Sequence, residues 1–251
     1  MTVPVRIGVV GAGVMGTGIA QVMAVAGLDV VCVDRDTTAL DRARQRLRTG
    51  RHGLERQATT GRISPSEVDA AVGRVRYTTD LAEGLDGCDV VIEAIVEDLA
   101  AKIALFRSAD RLAPASTVLC TNSSGLPVAA LAAATDRADR VLGWHWASPA
   151  PVMDLAEIVR TPTTDYDVVT EIVALAERVG KRPVVVWDAP HAWGYVANRV
   201  YAAAYREAEQ IVREGVATPD QVDELLVDCF RWPVGPFTLA RGANAGWEAA
   251  P

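Results

Sequence analysis

The turn "GAGVMG", set between two β-branched runs, constrains this chain more than any other stretch. The preceding "VRIGVV" has almost no polar face, as expected of a strand covered on both sides in a parallel sheet. The following "TGIAQVMAVAG" reads as a helix closed by Gly27, and "DVVCVD" as a second buried strand ending at Asp34. One strand–turn–helix–strand unit therefore holds Gly11, Gly13 and Gly16 in its turn. Gly11 permits the tight turn, Gly13 lets the backbone approach a pyrophosphate, and Gly16 lets the helix lie close to the strand. Val14 and Met15 begin the helix, whose unpaired N–H groups and positive dipole end face that pyrophosphate. Asp34 can accept both ribose hydroxyls and would repel a 2′-phosphate, which favours NAD over NADP; Arg35 beside it weakens that preference. A glycine-rich turn without a ligand is the plainer reading, but it leaves strands, helix and acid in register without a reason.

Strand-like runs continue with "RVRYTT", "DVVIEAI", "TVLCT", "RVLGWHW" and "PVVVW", and helical stretches alternate with most of them. This alternation predicts an α/β, Rossmann-type doubly wound, mainly parallel sheet over residues 1–188. Between the second and third strands lies a helical insert, roughly residues 37–73, read as a hairpin leaning out from the sheet. Its first helix has Ala39, Leu40, Ala43 and Leu47 on one face, flanked by arginines; its second opens on Ser64, Pro65 and Glu67, a capping box. From residue 189 to 251 no strand is evident, and "GYVANRVYAAAYREAEQIVREG" and "TPDQVDELLVDCF" predict a smaller all-helical domain. Thr218 is its expected N-cap, with Pro219 at the first helical position.

A formal charge of −7 argues against general binding to nucleic acid or an anionic membrane. The N-terminus lacks the features of a signal peptide, and no apolar run is long enough for a spanning helix. Cys32, Cys88, Cys120 and Cys229 lack metal-type spacing and read as reduced core thiols of a cytoplasmic protein; no metal is expected.

"LGWHWASPAPVMDLAEIV" contains His145, one of 3 histidines, between Trp144 and Trp146, with Glu157 in the next apolar run. Read alone, His145 is either a satisfied core histidine or half of an acid–base pair.

Over nearly its whole length the chain resembles the L-3-hydroxyacyl-CoA dehydrogenase family, of the 3-hydroxybutyryl-CoA type. The match is carried by "GAGVMG", "VVIEAIVEDLAAKIALF", "TNSSGLPV", "DRVLGWHWASPAPVMDLAEIV", "GYVANR" and "WPVGPF", in the family's order and near its spacing. The resemblance implies a dinucleotide-binding domain joined to a helical domain, here short for the family, with the substrate between them.

The same resemblance implies that His145 takes the proton from the substrate's 3-hydroxyl while hydride leaves C3 for the nicotinamide, with Glu157 as its carboxylate partner. It implies that Ser124 hydrogen-bonds the reacting oxygen and borders the nicotinamide, with Asn122 just upstream. Asn198 would hold the substrate from the helical domain; an asparagine near a helix start is otherwise a simple cap. Glu97 and Lys102 would line the cofactor, although Lys102 alone looks like surface, and Glu93 reads as structural support. Ser148 stands where the family usually has an asparagine at the nicotinamide end, and "PHAWGY" replaces the usual short "PGF" link. Arg44, Arg48 and Arg51 suit the phosphates of CoA, or equally an acidic carrier protein; exposed arginines are otherwise solvated surface. The implied partners are an acyl thioester on CoA or carrier protein and a second copy of the chain. Two other readings stay open: a dehydrogenase of a free 3-hydroxy acid, of gulonate or carnitine type, and a non-catalytic NAD-binding protein.

Overall fold

Short runs rich in valine and isoleucine need cover on both faces, and in this chain they obtain it by pairing into one twisted sheet. The strands are β1 (Arg6–Val10), β2 (Asp29–Val33), β3 (Val75–Thr78), β4 (Val90–Glu93), β5 (Val118–Thr121), β6 (Val141–Trp146), β7 (Leu155–Arg160) and β8 (Arg182–Trp187). Their order across the sheet is β3-β2-β1-β4-β5-β6-β7-β8. Every neighbouring pair is parallel except β6 and β7. The order reverses direction between β1 and β4, so the crevice outside their carboxyl ends is where a doubly wound sheet binds its ligand. The computed structural model describes residues 6–189 and 191–248. Two compact units result, Met1–Trp193 and Gly194–Pro251.

In the first unit, α1 (Val14–Val25) follows the glycine turn and buries Ile19, Ala20, Met23 and Ala24 in the core beneath β1 and β2. Gly11 has φ +108°, a region only glycine enters freely, and a side chain there would overlap the backbone of Ala94 beyond β4. A side chain at Gly16 would overlap the carbonyl oxygen of Gly11, so α1 and the turn touch through backbone alone.

The insert differs from the expected hairpin. It contains three helices, α2 (Thr37–Thr49), α3 (Leu54–Thr59) and α4 (Pro65–Gly73). Its apolar face is covered: Leu40, Ala43, Leu47, Leu54, Val68 and Ala71 all join the core that α1 and the strands build, with α2 and α4 packed on α1. The apolar stripe of α2 is too wide to leave in water, and α3 adds Leu54 to its cover. The Ser64–Glu67 capping box is present, as the sequence predicts.

Beyond β3 the chain runs through α5 (Leu81–Leu85), α6 (Leu99–Leu112), α7 (Val128–Ala132) and α8 (Tyr166–Arg178). Cys32, Cys88 and Cys120 are buried thiols, and burial pushes Cys88 up to about 11. Cys229 departs from the core-thiol expectation, being exposed. Among the described residues, no helix is long and apolar enough to cross a membrane.

The second unit contains α9 (Val196–Arg213), α10 (Pro219–Phe230) and α11 (Pro236–Glu248). Thr218 and Gln221 form a capping box at α10, with Pro219 at the start. Buried Asp223 accepts from the N–H groups of Phe237 and Thr238, which caps α11 with a carboxylate from the neighbouring helix.

Candidate active site

The candidate residues gather at the carboxyl ends of the strands. In the parallel register Val10 lies opposite both Val33 and Glu93, Glu93 opposite Thr121, and Thr121 opposite Gly143. Gly11, Asp34, Ala94, Asn122 and the carboxyl end of β6 therefore share one edge of the sheet.

At that edge the glycine turn fits a dinucleotide. Gly13 is exposed, and a Cβ built on it would meet nothing within 4 Å, so its backbone presents an open face. Gly13 is also the N-cap of α1 and supplies no side chain to the helix's first N–H groups, which leaves them for an anion. Asp34 stands at the tip of β2; its Oδ2 accepts from the Ala12 N–H at 2.8 Å and its Oδ1 from the Asp36 N–H at 3.1 Å. Val14, Met15 and Arg35 border the same opening, Val14 and Arg35 exposed and Met15 half-buried.

The antiparallel pairing of β6 and β7 sets His145 directly opposite Glu157. Directly opposite residues share a face, so the two side chains meet: Nδ1 of His145 is 2.7 Å from Oε2 of Glu157. Both are buried, His145 at 6% exposure and Glu157 at 3%. Strand alternation turns Trp144 and Trp146 to the face that packs on α1, and their rings lie 5.1 Å apart. His145 points the other way, to the face where Gly143 abuts Val128 of α7. With Nδ1 turned to a carboxylate, a proton exchanged with a ligand would pass through Nε2.

The strand-end loop after β5 is tied on both sides. Asn122 Oδ1 accepts from the Trp146 N–H at 3.0 Å, which fixes this loop to the strand of His145. Glu97 Oε1 accepts from Ser123 Oγ at 2.6 Å and from the Ser124 N–H at 2.9 Å. Lys102, which in isolation looks like surface, is 1% exposed on α6. Its ammonium lies 2.5 Å from Glu93 and 3.2 Å from Glu97. Glu93 also accepts from the Ile95 N–H and from Thr121 Oγ1. Burial pushes the Glu93 carboxyl above the usual carboxylate range, and the charge and hydrogen bond of Lys102 pull it back down. Lys102 thus holds Glu97, which is 37% exposed at the edge, rather than presenting its own charge there.

Ser148 lies exposed in the connection between β6 and β7. Arg44 pairs with Asp41 and stacks over Tyr77, Arg48 pairs with Glu55 and Asp69, and Arg51 is exposed. Asn198 belongs to the second unit. It is not a helix cap: Tyr195 holds the N-cap position of α9, and Asn198 sits within the first turn.

Residues 6–189 match the family model described as 3-hydroxyacyl-CoA dehydrogenase, NAD binding domain, and residues 194–250 match its C-terminal domain. The chain belongs to the 3-hydroxyacyl-CoA dehydrogenase family. A probable 3-hydroxybutyryl-CoA dehydrogenase of Bacillus subtilis is 40% identical over 235 residues, which are 94% of this chain and 79% of that protein. The 3-hydroxybutyryl-CoA dehydrogenase of Mycobacterium tuberculosis is 38% identical over 237 residues, 94% of this chain and 80% of the relative. Among solved structures, the (S)-3-hydroxybutyryl-CoA dehydrogenase of Ralstonia eutropha superposes with a TM-score of 0.88 at 33% identity. That superposition covers 94% of this chain and 81% of the other.

Proposed function

We propose that this family member interconverts an L-3-hydroxyacyl thioester and the 3-oxoacyl thioester, with His145 and Glu157 as the acid–base pair. The single observation that carries the proposal is the 2.7 Å contact between His145 Nδ1 and Glu157 Oε2, at the edge where the glycine turn opens. When bound, NAD supplies the hydride acceptor for C3. Losing hydride alone would leave a cation at C3, so the hydroxyl proton has to leave as well, and His145 Nε2 takes it. Glu157 holds the tautomer that leaves Nε2 without a proton beforehand and stabilises the imidazolium afterwards. In the reducing direction the imidazolium returns that proton to the oxygen.

Ser124 and Asn122 border this position on a loop braced by Glu97 and Trp146, and they orient the reacting oxygen and the nicotinamide end with Ser148. Gly11, Gly13, Gly16, Val14 and Met15 hold the pyrophosphate, and Asp34 holds the adenosine ribose beside Arg35. Asn198 contributes from the helical unit. Arg44 and Arg48 are engaged in exposed ion pairs, which are weak enough to exchange for phosphate oxygens, and Arg51 joins them as the reading for CoA. Exposed Val200, Leu225 and Phe230 on the helical unit favour a homodimer, and the buried thiols suit the cytoplasm.

Asp34→Asn is expected to raise the KM for NAD roughly ten- to hundredfold, the size of one lost hydrogen bond to a charged acceptor. Steady-state kinetics at varied NAD checks it, and an unchanged KM removes Asp34 from the ribose site. The substrate class is tested by following reduced nicotinamide with NAD and a panel: L-3-hydroxybutyryl-CoA, its carrier-protein thioester, and free 3-hydroxybutyrate, gulonate and carnitine. Turnover of the CoA ester above the others is the expected result. Turnover of a free acid with none of the thioester contradicts the substrate class, and NAD binding without any oxidation contradicts catalysis.

A further inference from the structure

A buried ammonium needs acceptors, and Lys181 finds them in the backbone of a loop. It is 7% exposed, directly before β8, and follows Gly180, whose φ is +76°. Its Nζ donates to the carbonyl oxygen of Ala150 at 2.8 Å and to that of Met153 at 2.6 Å, and lies 5.4 Å from the centre of the Trp146 ring. Two carbonyls and an indole face receive the charge, and the Asp154 carboxylate at the end of the same connection adds to its stabilisation.

Both carbonyls belong to the connection between β6 and β7, the segment that joins the strand of His145 to the strand of Glu157 and carries Ser148. On its other side this connection presses on α1, the helix that begins at the dinucleotide turn. At Gly18 an added Cβ would lie 3.2 Å from both Ala150 Cβ and Pro151 Cδ. The loop is therefore gripped between α1 and Lys181. We propose that Lys181 is a positioning residue for hydride transfer: its ammonium clamps the 147–154 connection onto α1, and so fixes Ser148 at the nicotinamide end. The role rests on the function proposed above. Charge-assisted bonds to two carbonyls three residues apart suit a cation on a long flexible stem, and an apolar chain of equal length supplies neither bond.

The test uses the whole chain and two substitutions. Lys181→Met is expected to lower kcat with NAD and L-3-hydroxybutyryl-CoA about ten- to hundredfold, the effect of misplacing reacting groups by about 1 Å. The Kd of ADP-ribose, which has no nicotinamide, is expected to change by less than about twofold, because the glycine turn and Asp34 are untouched. Lys181→Cys, made in a Cys229→Ser background, is then treated with 2-bromoethylamine to rebuild a lysine-like amine. Lys181 borders a cleft of about 320 Å³ lined also by Gln21, Gln57 and Arg178, which gives the reagent access. Recovery of kcat on aminoethylation supports the clamp. Unchanged kcat in Lys181→Met, ADP-ribose affinity lost in step with kcat, or complete modification without recovery each overturns it. Unsubstituted protein that binds ADP-ribose but oxidises no thioester contradicts the underlying function instead, before any variant is made.

Discussion

His145→Ala is expected to lower kcat/KM for L-3-hydroxybutyryl-CoA by about 10²- to 10⁴-fold, the usual contribution of a positioned general acid–base group. The affinity for NAD, measured by calorimetry, is expected to stay within about twofold, since β4 and β5 stand between the strand of His145 and the strand that leads into the glycine turn. The two readouts separate chemistry from folding. His145 is buried and its Nδ1 lies 2.7 Å from Glu157 Oε2, so the substitution also removes that contact from a buried carboxylate. His145→Gln, which keeps a hydrogen-bonding side chain for Glu157, is expected to lose a similar factor without that extra cost in stability. Activity retained in either variant contradicts the assignment of the proton acceptor.

Lys102→Met is expected to destabilise the nucleotide-binding unit by about 3–5 kcal/mol at neutral pH, the cost of leaving one member of a buried ion pair alone. Both Lys102 and Glu93 have side chains only 1% exposed, so water does not take over the role of the missing ammonium. The sign with pH follows from Glu93. Burial already holds its carboxyl above the ordinary value of 4.5, and the substitution deletes the strongest influence pulling it down. A raised folded-state pKa means that the folded state binds more protons than the unfolded state. The stability contribution is therefore complete below about 4.5 and is lost as pH rises through the raised value. The variant is expected to lose more stability, relative to the parent, at pH near 8 than at pH near 5, as read from urea titrations. A penalty that stays the same at both ends removes Glu93 as the residue left uncompensated.

Those two sites were unequally legible in the sequence. The dinucleotide turn could be read because each of its demands leaves a residue signature: glycines where side chains would overlap backbone, an acid at the tip of the next strand. His145 and Glu157 could be named only through the family resemblance. Their meeting depends on an antiparallel return between β6 and β7 in a sheet that is otherwise parallel, and neither run announces its direction. Lys102 was harder still, because its partners Glu93 and Glu97 reach it only once β4 and the turn after it are placed beside α6. Its neighbours on α6 read as an ordinary amphipathic helix. α3 escaped notice because its stretch is polar apart from Leu54 and Ala58, and a single buried leucine makes no period. Lys181 left no signal at all, since its acceptors are main-chain carbonyls that any sequence could provide. The capping box at Ser64 and the N-cap at Thr218 sit at the opposite extreme: both are local and readable from a few consecutive residues, although the reciprocal bond of Gln221 at Thr218 emerged only in the structure.

The most direct measurement of the acid–base claim is a double-mutant cycle on kcat with His145→Ala, Glu157→Gln and the combined variant. In Glu157→Gln the amide can donate to Nδ1, which favours the tautomer with the proton already on Nε2 and lowers kcat by about 10²-fold or more. A pair acting as one unit predicts that the combined variant loses no more than His145→Ala alone. Losses that multiply, or full activity in Glu157→Gln, contradict a coupled pair.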